Sequence, residues 1–453
     1  MMKIYCARWV LPISSGPLRD GAVAVEGARI KAVGPRAEVS ERFPAAPVEE
    51  LGEAALLPGF VNCHTHLELT AMRGFLEPEE ENFFAWLRKV TVSRNERMSA
   101  EDLYVSAAWG AVEAARAGVT CVGDASDSGA TTLKALGDAG LRGVVYQEAF
   151  GPDAREAAAR FDHARAKLEG LRPYETPLVK LGLSPHSPYT VAPPLLGMLA
   201  RYAVEEGLPL MMHAAESEAE QSLLLEGGGI FAAGFALRGF AFDSPRTTPV
   251  RHLLNTGVLE ARPLLAHCVR VDAEEVNLLH EHGAGVAHCP KSNAKLGHGR
   301  APLAAMVSAG VRVGLGSDSV ASNNVCDLLE ESRFALLGSR AALETVGDGG
   351  RMLDAHDALR LMTQGGASAM NVQDVTGALE EGLAADLVAV RLDAAHQTPA
   401  YDPAAALVFS SSGRDVLLTV VAGREVFRDG RVTTLDEADL RARVLDLARR
   451  LSA

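Results

Sequence analysis

Eight short apolar runs punctuate the middle of the chain, each ending on polar residues and each followed by a stretch rich in Ala, Leu and Glu. They occupy residues 57–64, 119–125, 143–149, 179–186, 208–214, 263–267, 285–288 and 311–318. A strand with one face in water alternates apolar and polar residues, whereas a strand buried on both faces reads as an unbroken apolar run. Unbroken runs separated by helix-like stretches predict parallel strands with helices packed outside. Eight such units over roughly 300 residues predict a (β/α)8 barrel, an α/β fold. An open doubly wound sheet is the competing architecture. It calls for a glycine-rich phosphate loop after the first strand, and no GxGxxG stands there.

The chain ends follow another grammar. In "GAVAVEGARIKAVGP" short alternating segments turn through Gly27 and Ala28, and "AADLVAVRLD" and "VLLTVVAGREVFRDGRVTTL" repeat the pattern near the C-terminus. Neither end carries enough apolar residues for a core of its own, so the two are expected to pair as one small discontinuous β-sandwich. The predicted organisation is a first sandwich part at 1–56, the barrel at 57–375, and the second sandwich part at 376–453, ending in an amphipathic helix over 437–451. The segment 227–239, "GGGIFAAGFALRG", reads as a loop inserted in the fifth unit.

A net charge of −14 is spread without any block of Lys or Arg, so neither nucleic acid nor an anionic membrane is an expected partner. No apolar stretch reaches the ~18 residues of a membrane span. The N-terminus lacks the apolar core and cleavage site of a secretory signal. The six cysteines, with no CxxC pair among them, read as reduced thiols. The expected setting is cytoplasmic, with a small-molecule substrate and a homodimer as the default assembly.

Chemistry on such barrels gathers at the carboxyl ends of the strands. There the chain places His64 and His66, His186, His213 with Glu216 just beyond, His267, His288 and Asp318. Residues i and i+2 of a strand share a face, so His64 and His66 can aim at one point. Imidazole suits zinc and iron alike. Adding His213 and Asp318 gives a donor set for one divalent ion, with room for a water whose pKa the ion would lower. Glu216 can carry a proton between that water and a leaving nitrogen, and His267 and Asp318 can orient or deprotonate the nucleophile. Singly these are weak signals. An isolated HxH is more often structural, and Asp318 in "SDS" can cap a helix. Convergence of one pattern of strand ends favours the metal site. His163, His252, His280, His282, His298, His356 and His396 lie in helix-like or loop stretches and receive no role.

Beyond that pattern, "PGFVNCHTH", "MMHAAE", "LAHC", "HCPKSNAKLGHGRAP" and "GLGSDSVASNN" resemble the amidohydrolase superfamily, in its branch of nucleoside and base deaminases and triazine hydrolases. "AVAVEGARIKAVG" and "GALEEGLAADLVAV" resemble the small β-sandwich that flanks the barrel of that family. The resemblance implies one divalent metal, Zn2+ with Fe2+ or Mn2+ as alternatives, held by His64, His66, His213 and Asp318. It implies Glu216 as proton shuttle, His267 beside a metal-bound hydroxide, and His186, in "SPHSPYT", in contact with substrate. Relatives with two metals carry a carboxylated lysine at the fourth strand's end; here that end is His186, which argues for one ion.

The implied reaction is hydrolytic deamination of an adenosine-type purine nucleoside. "SPHSPYT" and "SNAKLGHGRAP" are similar to methylthioadenosine and S-adenosylhomocysteine deaminases, although Phe84 and Ala85 stand where those would carry a ribose-binding glutamate. "HTHLEL" and "NFFAWL" look more like aminodeoxyfutalosine deaminases, the first choice, with Trp86 at the pocket. The benzoate of that substrate makes an arginine its expected partner, with Arg155, Arg73 and Arg88 as candidates. Glu68 could face the site or serve the structure. Guanine deamination and triazine-type chloride or amide hydrolysis are alternatives on the same site. A non-catalytic scaffold would be expected to have lost ligands, and this chain keeps them.

Overall fold

Both faces of each barrel strand are buried, as unbroken apolar runs require. Val61 and Cys63 pack inward with Cys121, Val144, Tyr146 and Met211, while Phe60, Val119 and Val122 join the outer cluster with Ala107, Ala111, Leu133 and Leu136 of the surrounding helices. The computed structural model describes residues 2–237, 239, 242–342 and 351–452. Its strands Phe60–Thr65, Val119–Ser126, Arg142–Ala149 and Val179–Pro185 pair in parallel, and so do Met211–Ala214, Leu264–His267, Gly285–His288 and Arg312–Leu315. A parallel bridge between Leu183 and Leu210 joins the two arcs on one side. On the other, Asp318 N donates to His64 O at 2.9 Å. The ring closes into a TIM barrel.

One apolar run divides where the sequence promised a single strand. Residues 57–64 fall partly in the strand Ala54–Pro58 and partly in Phe60–Thr65. Pro58 has no N–H to continue a ladder, and a side chain at Gly59 would collide with Thr120. Ala54–Pro58 lies instead in a nine-stranded sheet, between Met2–Val10 and Leu387–Arg391. That sheet also takes Leu18–Glu26, Arg29–Pro35, Val48–Glu50, Val416–Val421, Arg424–Arg428 and Arg431–Val432. Both chain ends therefore contribute, but along one continuous hydrogen-bonded path rather than as two separate sheets. Strand periodicity divides its side chains: Tyr5, Val23 and Leu56 enter one apolar cluster, and Ile4, Cys6 and Ala22 another.

The segment expected to be a loop holds a helix, Gly229–Leu237. Gly227, at φ +73°, ends the preceding helix Glu218–Glu226, and the next residues are free to restart one. Phe231 and Phe235, one turn apart, bury against Tyr189 and Leu223. Arg238, Phe240 and Ala241 lie outside the described residues. Among the described residues no helix is long and apolar enough to cross a membrane.

The last helix, Glu437–Ser452, docks Leu447 and Leu451 against Leu69, Met72 and Leu103. Asp102 secures the contact. Its carboxylate accepts from Ser99 N at 2.9 Å and Ser99 Oγ at 2.8 Å, capping the helix Ala100–Arg116, and also receives the Arg450 guanidinium. The Arg450 hydrogen bonds, set against partial burial, lower the Asp102 carboxyl to about 2. A carboxyl depressed by folding stabilises the native state above its unfolded pKa, near 4, and loses that contribution as pH falls through about 2. Asp102→Asn is expected to destabilise the protein by about 1 kcal/mol at pH 6. In urea unfolding the gap from the unmutated protein should narrow steadily between pH 4 and 2.5; a gap independent of pH would remove the ion pair from the account.

Candidate metal centre

The first barrel strand ends in His64 and His66, and its period of two turns both rings to one point. His64 is fully buried, and among the described residues neither ring nitrogen has a hydrogen-bond partner. Its Nε2 lies 3.3 Å from Asp318 Oδ1. His66 Nε2 lies 3.7 Å from the same oxygen and 3.2 Å from His213 Nε2. Four donors thus converge from the first, fifth and eighth strand ends. The turn carrying His66 is itself fixed, because Asp124 accepts from Thr65 Oγ1 and Leu67 N, both at 2.7 Å.

The remaining atoms of His213 and Asp318 are occupied elsewhere, which aims their free ones inward. His213 Nδ1 faces His186 O at 2.8 Å, so Nδ1 carries the proton and Nε2 keeps its lone pair. Asp318 Oδ2 accepts from Ser292 Oγ at 2.5 Å and Ser322 Oγ at 2.9 Å, leaving Oδ1 toward the histidines. Burial pulls His64, His66 and His213 down to about 4, so all three rings are neutral at neutral pH. Burial works to raise Asp318, but the His64 ring 3.3 Å away, with His267 and His66 behind it, outweighs burial and holds the carboxyl well below its usual range. Three neutral nitrogens, one carboxylate oxygen and an orphaned buried imidazole fit a divalent cation.

Backbone geometry shows the same concentration. Ala215, His267, Cys268 and Asp318 have φ of +53°, +75°, +47° and +56°, in the left-handed region that non-glycine residues seldom adopt. All four sit at or beside strand ends of the centre, where strain is held by surrounding bonds.

Glu216 lies beside the cluster, 3.7 Å from His267 Nε2 and 3.4 Å from His298 Nε2. Glu220 orients it by accepting both the Ala215 and Glu216 backbone N–H groups at 2.9 Å. His267 Nδ1 faces Asn293 Oδ1 at 2.8 Å, which turns Nε2 toward Glu216. Burial alone would raise Glu216; the charge of His267 and the His298 ring, 3.4 Å away, bring it to about 2. For His267 burial lowers and Glu216 then raises, with a net upward shift. The pair is therefore a carboxylate facing an imidazole that favours its proton. His298, given no role from sequence, belongs to this group, and the Phe83 ring meets it edge-on at 4.5 Å. Ser292, Asn293 and His298 all fall within "HCPKSNAKLGHGRAP", so the signal was present in a phrase whose geometry was not. His288 is buried nearby with Nδ1 unpartnered.

The expected substrate contacts fare unevenly. His186 borders the site, its ring 4.7 Å from His213. Arg155 does not converge on it: the guanidinium pairs with Asp153 at 2.6 Å and its side chain is 76% exposed. Arg73 pairs with Glu113, and Arg88 is exposed. Trp86 is turned into the core with Leu69, Met72 and Leu103. Asn82 caps the helix Phe83–Arg97, and from that start Phe83 and Phe84 reach the wall with Tyr189 and Phe231 while Trp86 points behind it. Glu68 is bound by Arg94 Nε at 2.6 Å, Ser126 Oγ at 2.8 Å and Ser128 N at 3.0 Å, a structural clamp. Arg94 is the buried arginine that sequence reasoning missed.

Comparison with known proteins agrees with this geometry. Residues 55–426 match the amidohydrolase family, and residues 21–46 match the imidazolonepropionase-like composite domain of bacteria. The 5-methylthioadenosine/S-adenosylhomocysteine deaminase of Pelotomaculum thermopropionicum is 34% identical over 438 residues, covering 96% of this chain and 95% of that protein. The protein of the same description from Symbiobacterium thermophilum is 32% identical, covering 98% of this chain and 97% of its own. Among solved structures, an adenosine deaminase from Xanthomonas campestris with bound zinc superposes with a TM-score of 0.86 at 28% identity, covering 99% of this chain and 98% of that one. Atrazine chlorohydrolase from Arthrobacter aurescens, complexed with zinc, gives 0.82 at 25% identity, covering 98% and 99%. By its barrel, its converging donors and these matches along nearly its whole length, the chain belongs to the amidohydrolase family, hydrolases of carbon–nitrogen bonds.

Proposed function

We propose that the chain is a metal-dependent deaminase of adenosine-type purine nucleosides, with His64, His66, His213 and Asp318 as ligands of one divalent ion, Zn2+ first. The observation that carries it is Glu216, set between His267 and His298, with His267 itself grouped with His64 and Asp318. An ion held there supplies Lewis acidity, which brings the pKa of a water toward 7. Glu216, ionised before substrate arrives, accepts a proton from the attacking water and delivers it to the ring nitrogen next to the amine-bearing carbon. His267 donates a hydrogen bond to the oxygen that becomes the product carbonyl. Proton return to the amine releases ammonia, so water and substrate balance against ammonia and the oxo product.

Aminodeoxyfutalosine is the first substrate on the strength of "HTHLEL" and "NFFAWL"; the relatives' names support methylthioadenosine and S-adenosylhomocysteine as the next. The likeness to a chlorohydrolase favours a second reading, displacement of chloride on the same site.

Purified protein is expected to hold about one equivalent of Zn, Fe or Mn by elemental analysis, and His213→Ala to lose most of it. Because the ring nitrogens protonate only near pH 4, metal should be retained at pH 6 and released as pH falls through about 4. Retention of metal and turnover in His213→Ala would refute the ligand assignment. Glu216→Gln should keep the metal but lose about 10²- to 10⁴-fold in kcat. An ammonia-release screen over aminodeoxyfutalosine, methylthioadenosine, S-adenosylhomocysteine, adenosine, guanine and a chlorotriazine tests the substrate. Activity confined to guanine, or chloride release alone, rules against the adenosine-type assignment.

A further inference from the structure

The third strand, Arg142–Ala149, delivers a carboxyl that neither the metal cluster nor the proton relay uses. Glu148 is only 9% exposed, and its buried Oε1 has no hydrogen-bond partner among the described residues. Burying a polar atom without a partner is costly, so such an orphan at the rim of a site points to a ligand group. Arg94, whose charge Glu148 feels, is committed elsewhere: Nε to Glu68, one terminal nitrogen to Asp127 at 3.0 Å, the other to Ser128 Oγ at 2.8 Å. Gln147 is spent as well, donating to Asp127 O and Glu148 O while accepting from Gly129 N.

What faces Glu148 Oε1 is His186 Nε2, at 3.9 Å. That gap is too long for a direct hydrogen bond, and a hydroxyl oxygen about 2.8 Å from each atom spans it. The ring is set up for this. His186 Nδ1 lies 3.0 Å from Ser187 Oγ and 2.9 Å from Thr190 Oγ1, and a hydroxyl donating to Nδ1 leaves the proton on Nε2. A hydroxyl between the two would accept from His186 and donate to Glu148. Phe150, 40% exposed and with its ring 4.9 Å from His186, offers an apolar face beside the same position. Burial, with the charges of Glu68 and Asp127 adding to it, pushes the Glu148 carboxyl well above its usual range, so it can accept from a hydroxyl or donate to one. Carboxyl, imidazole donor and flanking aromatic ring together suit the alcohol groups of a sugar.

We propose that Glu148 and His186 bind a sugar hydroxyl of the substrate, making Glu148 the residue that separates nucleosides from free bases and from triazines. This rests on the reading of the site as a nucleoside deaminase. The test compares the best adenosine-type nucleoside of the ammonia screen with its 2′,3′-dideoxy analogue, on the unmutated protein, Glu148→Gln and Glu148→Ala. Glu148→Ala is expected to lower kcat/KM for the ribonucleoside about 10- to 100-fold, Glu148→Gln less, with the dideoxy analogue unaffected by either. Metal content and thermal midpoint report that the fold is intact. Equal losses on both substrates, no loss on either, or metal lost from Glu148→Ala, which would make this a second cation site, each overturn the proposal while leaving the deaminase reading standing. An unmutated protein inactive on every nucleoside overturns both.

Discussion

Everything at the centre depends on one seam. Asp318 N donates to His64 O, and Asn62 pairs with Ser317 through its amide nitrogen at 2.8 Å and its oxygen at 2.9 Å, fastening the first strand to the eighth across 255 residues of sequence. The histidine pair and the aspartate have no local reason to meet. Loop-closure entropy grows only logarithmically with separation, so a ring can bring such distant residues together at modest extra cost once its strands are buried. The apolar strands provide the driving force, and the seam sets the register in which imidazoles and carboxylate face each other.

Burial then decides the protonation states. A lone imidazole in this interior is kept neutral, and a lone carboxylate would be pushed toward neutrality too. Asp318 and Glu216 nonetheless keep their charges, because His64 and His267 lie against them and Ser292 and Ser322 satisfy the second oxygen of Asp318. Ionised groups survive burial when they are paired and fully hydrogen-bonded. Orientation and charge placement are thus one arrangement, in which His213 Nδ1, His267 Nδ1 and Asp318 Oδ2 are each engaged by a neighbour and their free atoms face the centre.

Much of this was legible in the chain. Unbroken apolar runs mark strands buried on both faces, and HxH at a strand end encodes a shared direction, so the barrel and the convergence of His64, His66, His213 and Asp318 follow from periodicity. The misses have a common cause. Whether Phe83 or Trp86 faces the site depends on how one helix rolls against Met72 and Tyr189, contacts that no local pattern contains. Arg155 resembles a ligand-binding arginine until Asp153, two residues away, is seen to occupy it. The division at Gly59 depends on the side chain of Thr120. Glu148 carries no motif at all; its isolation is a property of neighbours committed to other partners. Composition mistook Gly229–Leu237 for a loop because its glycines outweighed the Phe231–Phe235 pair.

The strand Ala54–Pro58 has a bearing on how the molecule comes into being. It sits one residue ahead of the strand that carries His64, and one of its two sheet neighbours is Leu387–Arg391. A chain emerging from the ribosome can form the hairpin of its first strands early. The anchor for the strand that carries His64 and His66 arrives only after some 330 further residues have been made. Until then the two histidines belong to a strand with one edge of its support missing, and Asp318, also synthesised late, has not yet closed the ring. Vectorial synthesis therefore leaves the meeting of His64 and His66 with Asp318 to the last stage, when almost the whole polypeptide is present.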